Sequence, residues 1–527
     1  MDWENVYSKA IQVEDTSGLN GEECIRLIGQ LVDASSILER QKGLFHAIDL
    51  GIQVLQRELK AVQKAKAHYF VGNAHSAIYA LSKENASREE LWGINWEDPK
   101  IEPVILNYRR ARNSSGFGEL PIIRQCQILT NLGNFLNTVG RSISALQVYD
   151  VALRLMPRFN VARGNRAFTS GLYARMFYDS GQSKVFLQYA HADIATAVSE
   201  GGYVEPEAKE GFEPYAEQLE SLLENIKGRY SIPNLYELDL GETDEEQSYR
   251  RWCLTKRLFL NPMNDLGAYP IAAHDVIHTP PIVTSIDTGP KYQGAFNQLK
   301  QTFVSARFLL YEGLTESGPH FSDRDVSLFN TLDYPSYSLA VEKVKLAFRS
   351  FYSLFDQIAF LLNDYFGLAV PARSISFRRI WYRGQDPNQG IRDELLKRYN
   401  RPLQALFWLS KDLYESRDDF REALSPAAAR LNKIRNHLEH RYLKVHDMWL
   451  GEPESDSLKA VRYDDLSESI QRDDFERKAL HIAKLARAAL IYLSLAMHVE
   501  NVMVRRADMD GIAMPRVLDF WRDEWKR

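Results

Sequence analysis

Three cysteines in 527 residues, Cys24, Cys126 and Cys253, stand far apart with no C-x-x-C among them. That scarcity excludes a disulfide framework and a thiolate zinc site, and it fits a reducing compartment. A large excess of one charge is also lacking: 65 Lys and Arg against 70 Asp and Glu leave a net charge of −5. A nucleic-acid role therefore needs a local basic patch, not bulk charge. There is no Gly-rich phosphate loop, the GFG at 116–118 being too short, and no G-x-S-x-G elbow of a serine hydrolase. No run alternates apolar and polar residues in the manner of a strand. The opening MDWENVYSKA has no basic-then-apolar signal pattern, and the longest apolar helix, ALIYLSLAMHVENVMV, is broken by His498 and Glu500. No membrane span is expected, and the protein reads as cytoplasmic.

What remains is the composition of a soluble globular protein, 45% hydrophobic and 26% charged, in a chain too long for one ordinary core. The clearest internal pattern is LTNLGNFLNTVGRSISALQVYDVALRLMP at 129–157. Leu132, Gly133, Leu136, Gly140, Ala145, Tyr149, Ala152 and Pro157 fall where two antiparallel helices need small residues at their crossing, an aromatic in the groove and a proline stop. At these positions the stretch resembles a tetratricopeptide repeat. Poorer copies flank it at 24–55, 69–111 and 164–198, so three to five stacked helix pairs are expected, a repeat-like domain over 1–230. Such arrays bind proteins or peptides, and a partner of that kind is expected here.

Residues 231–290 are rich in Pro, Asn, Gly and acidic side chains and read as a connector. His274 and His278 stand four apart within it, but neighbouring prolines and the missing H-E-x-x-H pattern favour turn hydrogen bonding over a metal pair. From 291 to 527 long helices with wide apolar faces resume, the pattern of a helical bundle. The fold class expected is all-α, a helical solenoid followed by a bundle.

One bundle segment, RLNKIRNHLEHRYLKVH at 430–446, is unusually basic. Ser425, Pro426 and the alanines 427–429 read as a helix start, and Gly451 with Pro453 beyond it as its stop. Leu431, Ile434, Leu438, Tyr442 and Val445 then form one apolar stripe. At roughly 100° per residue, Arg435 lies about 60° from the stripe's centre and His440 about 160°, with His437 and His446 on its borders.

Arg435, Asn436 and His440 spell R-N-x-x-x-H, and here the bundle resembles the HEPN superfamily (higher eukaryotes and prokaryotes nucleotide-binding). Arg430 with His437, and Arg441 with His446, match the looser spacing too; the polar residue after Arg435 favours the first pair. The resemblance implies a metal-independent RNase without cofactor, its site shared across a homodimer, with RNA as substrate and Arg435, Asn436 and His440 as the catalytic set. Phage defence or toxin-like growth arrest would be the role, under control of the array. Its chemistry asks for these groups: a base for the 2′-OH, an acid for the leaving oxygen, and a cation for the phosphate. Arg378, Arg379 and Arg383 in FRRIWYRG, with Trp381 and Tyr382 for stacking, are candidate RNA contacts. Asp356 is the candidate orienting acid that some HEPN bundles carry on an earlier helix. The contrasting expectation is a non-catalytic scaffold whose bundle binds a nucleotide or only dimerises, with Arg435 and Glu439 as an ordinary ion pair on a wet helix face.

Overall fold

Gly133 shows why the helix pairs pack as they do. A Cβ on it would come within 2.4 Å of the Tyr149 ring, which is fully buried and fixed by its hydroxyl donating to Asn134 Oδ1 at 2.8 Å. Ala145 and Ala152 are equally buried, and Gly140 turns the chain at φ +81°. This is a computed structural model describing residues 2–83, 96–199, 201–225, 234–282, 289–316, 318–413, 428–447, 466–507, 523 and 526. Its N-terminal helices are α1 (Trp3–Ala10), α2 (Gly21–Ile37), α3 (Gln41–Leu55), α4 (Ala61–Leu81), α5 (Ile101–Asn113), α6 (Ile122–Thr138), α7 (Ser142–Leu155), α8 (Asn160–Ala174), α9 (Ser180–Val198) and α10 (Pro206–Glu224). Each packs on the next, so the half is a stack of consecutive helices. Gly133→Ala is expected to destabilise the protein by about 1–3 kcal/mol, read as a shifted denaturation midpoint at unchanged slope.

The segment read as a connector is packed into the core. It contains α11 (Asp244–Lys256), capped by Thr243, whose hydroxyl accepts from the Glu246 amide at 3.2 Å. Beyond it Leu258, Phe259, Leu260 and Met263 are buried. His278 makes turn contacts, its Nδ1 lying 2.6 Å from the Thr279 carbonyl oxygen.

The C-terminal half comprises α12 (Lys291–Thr315), α13 (Leu339–Tyr365), α14 (Arg401–Ser410), α15 (Ala428–His440) and α16 (Arg472–Ala507). By length and composition α16 would suit a membrane, but 83% of its most apolar window is buried, and α12, α13 and α14 all pack on it. The all-α class holds, with one small exception. Tyr442–His446 is a strand, β1, paired in parallel with β2 (Ser467–Gln471) from Tyr442 opposite Ser467 to His446 opposite Gln471.

The expectation of a helix running through Val445 is thereby corrected. Leu438, Tyr442 and Val445 fit a helical stripe, but a short run of aromatic and branched residues suits a strand as well, and spacing alone does not separate the two. Tyr442 is exposed, while Leu443, Lys444, Val445 and His446 are buried because β1 lies between β2 and a third segment, whose Ser336 amide donates to the Val445 carbonyl at 2.7 Å. The helix start at 425–427 and the stop at Gly451 and Pro453 lie outside the described residues.

Both halves share one apolar core running from Ala65 to Met497; a second cluster serves α1–α4. Polar groups bind the seam as well. Asp412, at the end of α14, accepts from Arg109 and Arg141 of the N-terminal half, each at 2.5 Å. Arg487 of α16 is fully buried and donates to Asp265 at 2.6 Å and to the Phe259 and Asn261 carbonyls at 2.6 and 2.8 Å.

Candidate functional site

On α15, Leu431, Ile434 and Leu438 face the core. The opposite side carries Lys433, Asn436, His437 and His440, which with Arg441 line an open cleft of about 500 Å³. Four of these five are spaced i, i+3, i+4 and i+7, one polar face of one helix.

His440 is exposed on the last residue of α15, as its angle from the stripe predicts, and no hydrogen bond or ion pair engages it among the described residues. Asn436 is half-buried, and its Oδ1 accepts from Arg435 Nη1 at 3.1 Å. That bond leaves the amide N–H donors of Asn436 for whatever enters the cleft. Arg435 itself lies behind the cleft wall, half-buried, its guanidinium 5.8 Å from the centre of the Tyr352 ring of α13. It engages Asn436 and Tyr352, not Glu439.

The two border histidines have structural work. His437 is buried with Nδ1 2.8 Å from the Lys433 carbonyl oxygen, and His446, on β1, has Nε2 3.3 Å from Ser469 Oγ. Arg430 pairs with Glu468 of β2, which also receives Lys433 at 2.6 Å. One carboxylate thus ties the cleft helix to the sheet, a partner 38 residues away that no local pattern announces.

The structure places the other candidates elsewhere. Among the described residues no hydrogen bond or ion pair joins Asp356 to Arg435 or His440; its Oδ1 accepts from the Phe377 amide at 3.0 Å and anchors the start of FRRIWYRG. Trp381 and Tyr382 are each 1% exposed, so the expectation that they stack on RNA is corrected. Trp381 Nε1 donates to the Phe377 carbonyl at 2.6 Å, and both rings pack on Phe407. Arg379 and Arg383 are exposed and Arg378 half-buried; Arg383 pairs with Asp393 at 2.5 Å.

Two features escaped the sequence reading. Tyr352, directly beneath Arg435, looked like one more core aromatic in α13. The segment 321–337 was unassigned, yet it leaves Phe329 96% exposed with Leu332 and Tyr334 beside it. It is tied to β1 through the buried pair of Asp333 and Lys444 at 2.9 Å. Burial would raise the Asp333 carboxyl, but the Thr331 hydroxyl and the Lys444 ammonium outweigh it and hold the group below its ordinary value. Leu332 and Tyr334 hold left-handed backbone, at φ +66° and +50°, a strained conformation for bulky side chains that local residue type does not announce.

Residues 283–500 match the family model for LA2681-like HEPN. By that match the C-terminal bundle is HEPN-like. The HEPN match takes in α12 to α15, both strands, most of α16 and every residue of the cleft, and α1–α11 lie outside it. No curated protein matches the chain.

Proposed function

We propose that the HEPN-like bundle is a metal-independent endoribonuclease whose site is completed by a second copy of the chain. The observation that carries this reading is His440: an exposed imidazole without a protein partner among the described residues, next to the amide donors of Asn436 in a basic cleft. Imidazole is suited either to take the 2′-OH proton or to give one to the departing 5′-oxygen. One imidazole does not do both in a single turnover step, so two copies related by a two-fold axis supply base and acid. The 2′-oxygen attacks phosphorus, the P–O5′ bond breaks, and the products are a 2′,3′-cyclic phosphate and a 5′-hydroxyl. Asn436, oriented by Arg435, donates to the phosphate oxygens as charge gathers there.

The apolar side chains of 321–337, tethered to the strand that follows His440, supply the surface for the second copy. Phe329→Ser is expected to convert the dimer to a monomer in sedimentation and to reduce cleavage with it. In this reading the N-terminal helices control the nuclease, and phage defence or toxin-like growth arrest is its role. The deciding experiment is RNA incubated with purified protein in EDTA, the cut ends being analysed for cyclic phosphate; no cleavage above background overturns the proposal.

One observation favours a second reading. Arg435 is turned toward Asn436 and Tyr352 instead of opening onto the cleft. A scaffold whose bundle binds a nucleotide without cutting needs no more than that, and it predicts nucleotide binding with intact RNA.

A further inference from the structure

Lys433 lines the cleft together with Asn436 and His440, the three standing at i, i+3 and i+7 on one face of α15. Half of its side chain is exposed, and its Nζ lies 2.6 Å from Glu468 Oε2 of β2. Arg441 lines the cleft on the far side of His440 along the chain, whereas Arg435 is turned to Asn436 and the Tyr352 ring. A strand of RNA entering the cleft therefore meets the ammonium of Lys433 where the guanidinium of Arg435 does not reach.

Two cations share the carboxylate of Glu468. Arg430 holds Oε1 and also donates from Nη2 to the Ser469 carbonyl at 3.2 Å, while Lys433 holds Oε2. The three side chains together carry one net positive charge. Lys433 is thus free to leave Glu468 without stranding it, because the mostly enclosed carboxylate keeps Arg430 as its counter-ion. The ion pair of a half-exposed lysine is weak, and an ammonium on a phosphate oxygen forms a charge-assisted hydrogen bond in its place. Position along the helix decides which phosphate that is. Lys433 stands two turns before His440, roughly 10 Å along the axis, so with His440 at the phosphate being cut Lys433 lies beside a neighbouring phosphate of the same strand.

We infer, resting on the nuclease reading for which phosphate is cut, that Lys433 is a substrate-binding residue for a phosphate flanking the scissile one, and that Glu468 is the partner it exchanges for that phosphate. The substrate is then a strand with at least two phosphates, gripped here by its backbone and not by its bases. A dinucleotide, with a single phosphate, leaves Lys433 on Glu468.

The first test is binding to the full-length protein of a short 2′-O-methyl RNA, which has no 2′-hydroxyl to attack and stays intact. Fluorescence anisotropy follows its affinity across a salt series. Lys433→Gln is expected to weaken binding about three- to tenfold, less than a full charge-assisted bond because Glu468 competes for the lysine. The loss should be the same for every base sequence, and the slope of log K against log salt should shrink by about 0.7, the share of one phosphate on a single strand. Lys433→Arg keeps a cation there and should restore most of the affinity. Glu468→Gln releases Lys433 and should tighten binding about two- to fivefold, a gain that the double variant loses. If the pair only ties helix to sheet, both single substitutions act in the same direction. That result overturns the inference, as does a parental affinity and salt slope in Lys433→Gln, or a parent that does not bind the strand. The second test needs no variant to fold: making the linkage next to the scissile one a neutral methylphosphonate should raise KM for the parent about three- to tenfold at unchanged kcat. In Lys433→Gln the same change should add nothing, and a further rise there overturns the inference. A parent that binds the strand and leaves RNA uncut refutes the nuclease reading, while the phosphate contact of Lys433 is still decided by the binding test.

Discussion

Replacing His440 by alanine is expected to lower RNA cleavage in EDTA by about 10²–10⁴-fold, the range for losing a general acid or base. The fold should not change, since His440 is exposed and bonded to nothing described. Arg435→Ala should cost a comparable factor by an indirect route, by releasing Asn436 Oδ1 and letting the amide turn. Arg435→Lys does not rescue it, because a lysine lacks the planar fork that lies over Tyr352 and still reaches Asn436. Mixing experiments separate a composite site from two independent ones. When parent and His440→Ala chains are exchanged in equal amounts, a site needing both imidazoles retains roughly one quarter of the activity, from parental pairs alone, whereas independent sites retain roughly one half. Retention of half the activity would refute the shared site without touching the role of His440.

The second large effect concerns stability. Asp412→Ala is expected to cost about 3–5 kcal/mol, because it strands two guanidiniums in the seam between the halves. Asp412 and Arg141 are both almost fully enclosed, and Arg109 is close to it. Burial alone would raise the Asp412 carboxyl, but the charges of Arg109 and Arg141 win and bring it down to about 2. A carboxyl depressed on folding stabilises fully above its unfolded value near 3.9 and loses that contribution as pH falls through its folded value. In the parent the acid limb of the stability profile should therefore steepen between about pH 4 and pH 2. In Asp412→Asn that part of the limb flattens, since no proton is left to bind there. A loss under 1 kcal/mol for Asp412→Ala in chemical denaturation would mean that the seam rearranges around the gap.

Sequence patterns reveal those parts of the protein whose causes are local. Gly133 and Tyr149 interlock as the helix-pair spacing demands, and the exposed position of His440 follows from counting degrees along α15. Strand β1 was not legible: its apolar residues continue the helical spacing of Leu438 by coincidence, and the partner that makes it a strand begins 25 residues later, at Ser467. The stacking role expected of Trp381 and Tyr382 failed for a related reason. Residue type shows that a group can bind phosphate or stack, but not whether the fold has already spent it, as it has spent Trp381 on the core. The connector looked loose because its prolines and acidic residues are visible locally, while the arginine that seats it, Arg487, lies 222 residues from Asp265.

The order in which the ribosome delivers the seam has a consequence of its own. Arg141 is synthesised 271 residues before Asp412, and Asp265 222 residues before Arg487. At the usual pace of translation, about 5–20 residues per second, the nascent N-terminal half waits for tens of seconds with its cations unanswered and part of its apolar face uncovered. It cannot reach its final packing until the long helix α16 emerges, and that same helix follows β2, the partner of the strand that begins just after His440. A prematurely terminated chain therefore remains both unfinished and exposed to proteases. In a protein proposed to cut its own cell's RNA, incomplete copies would be cleared before they could act.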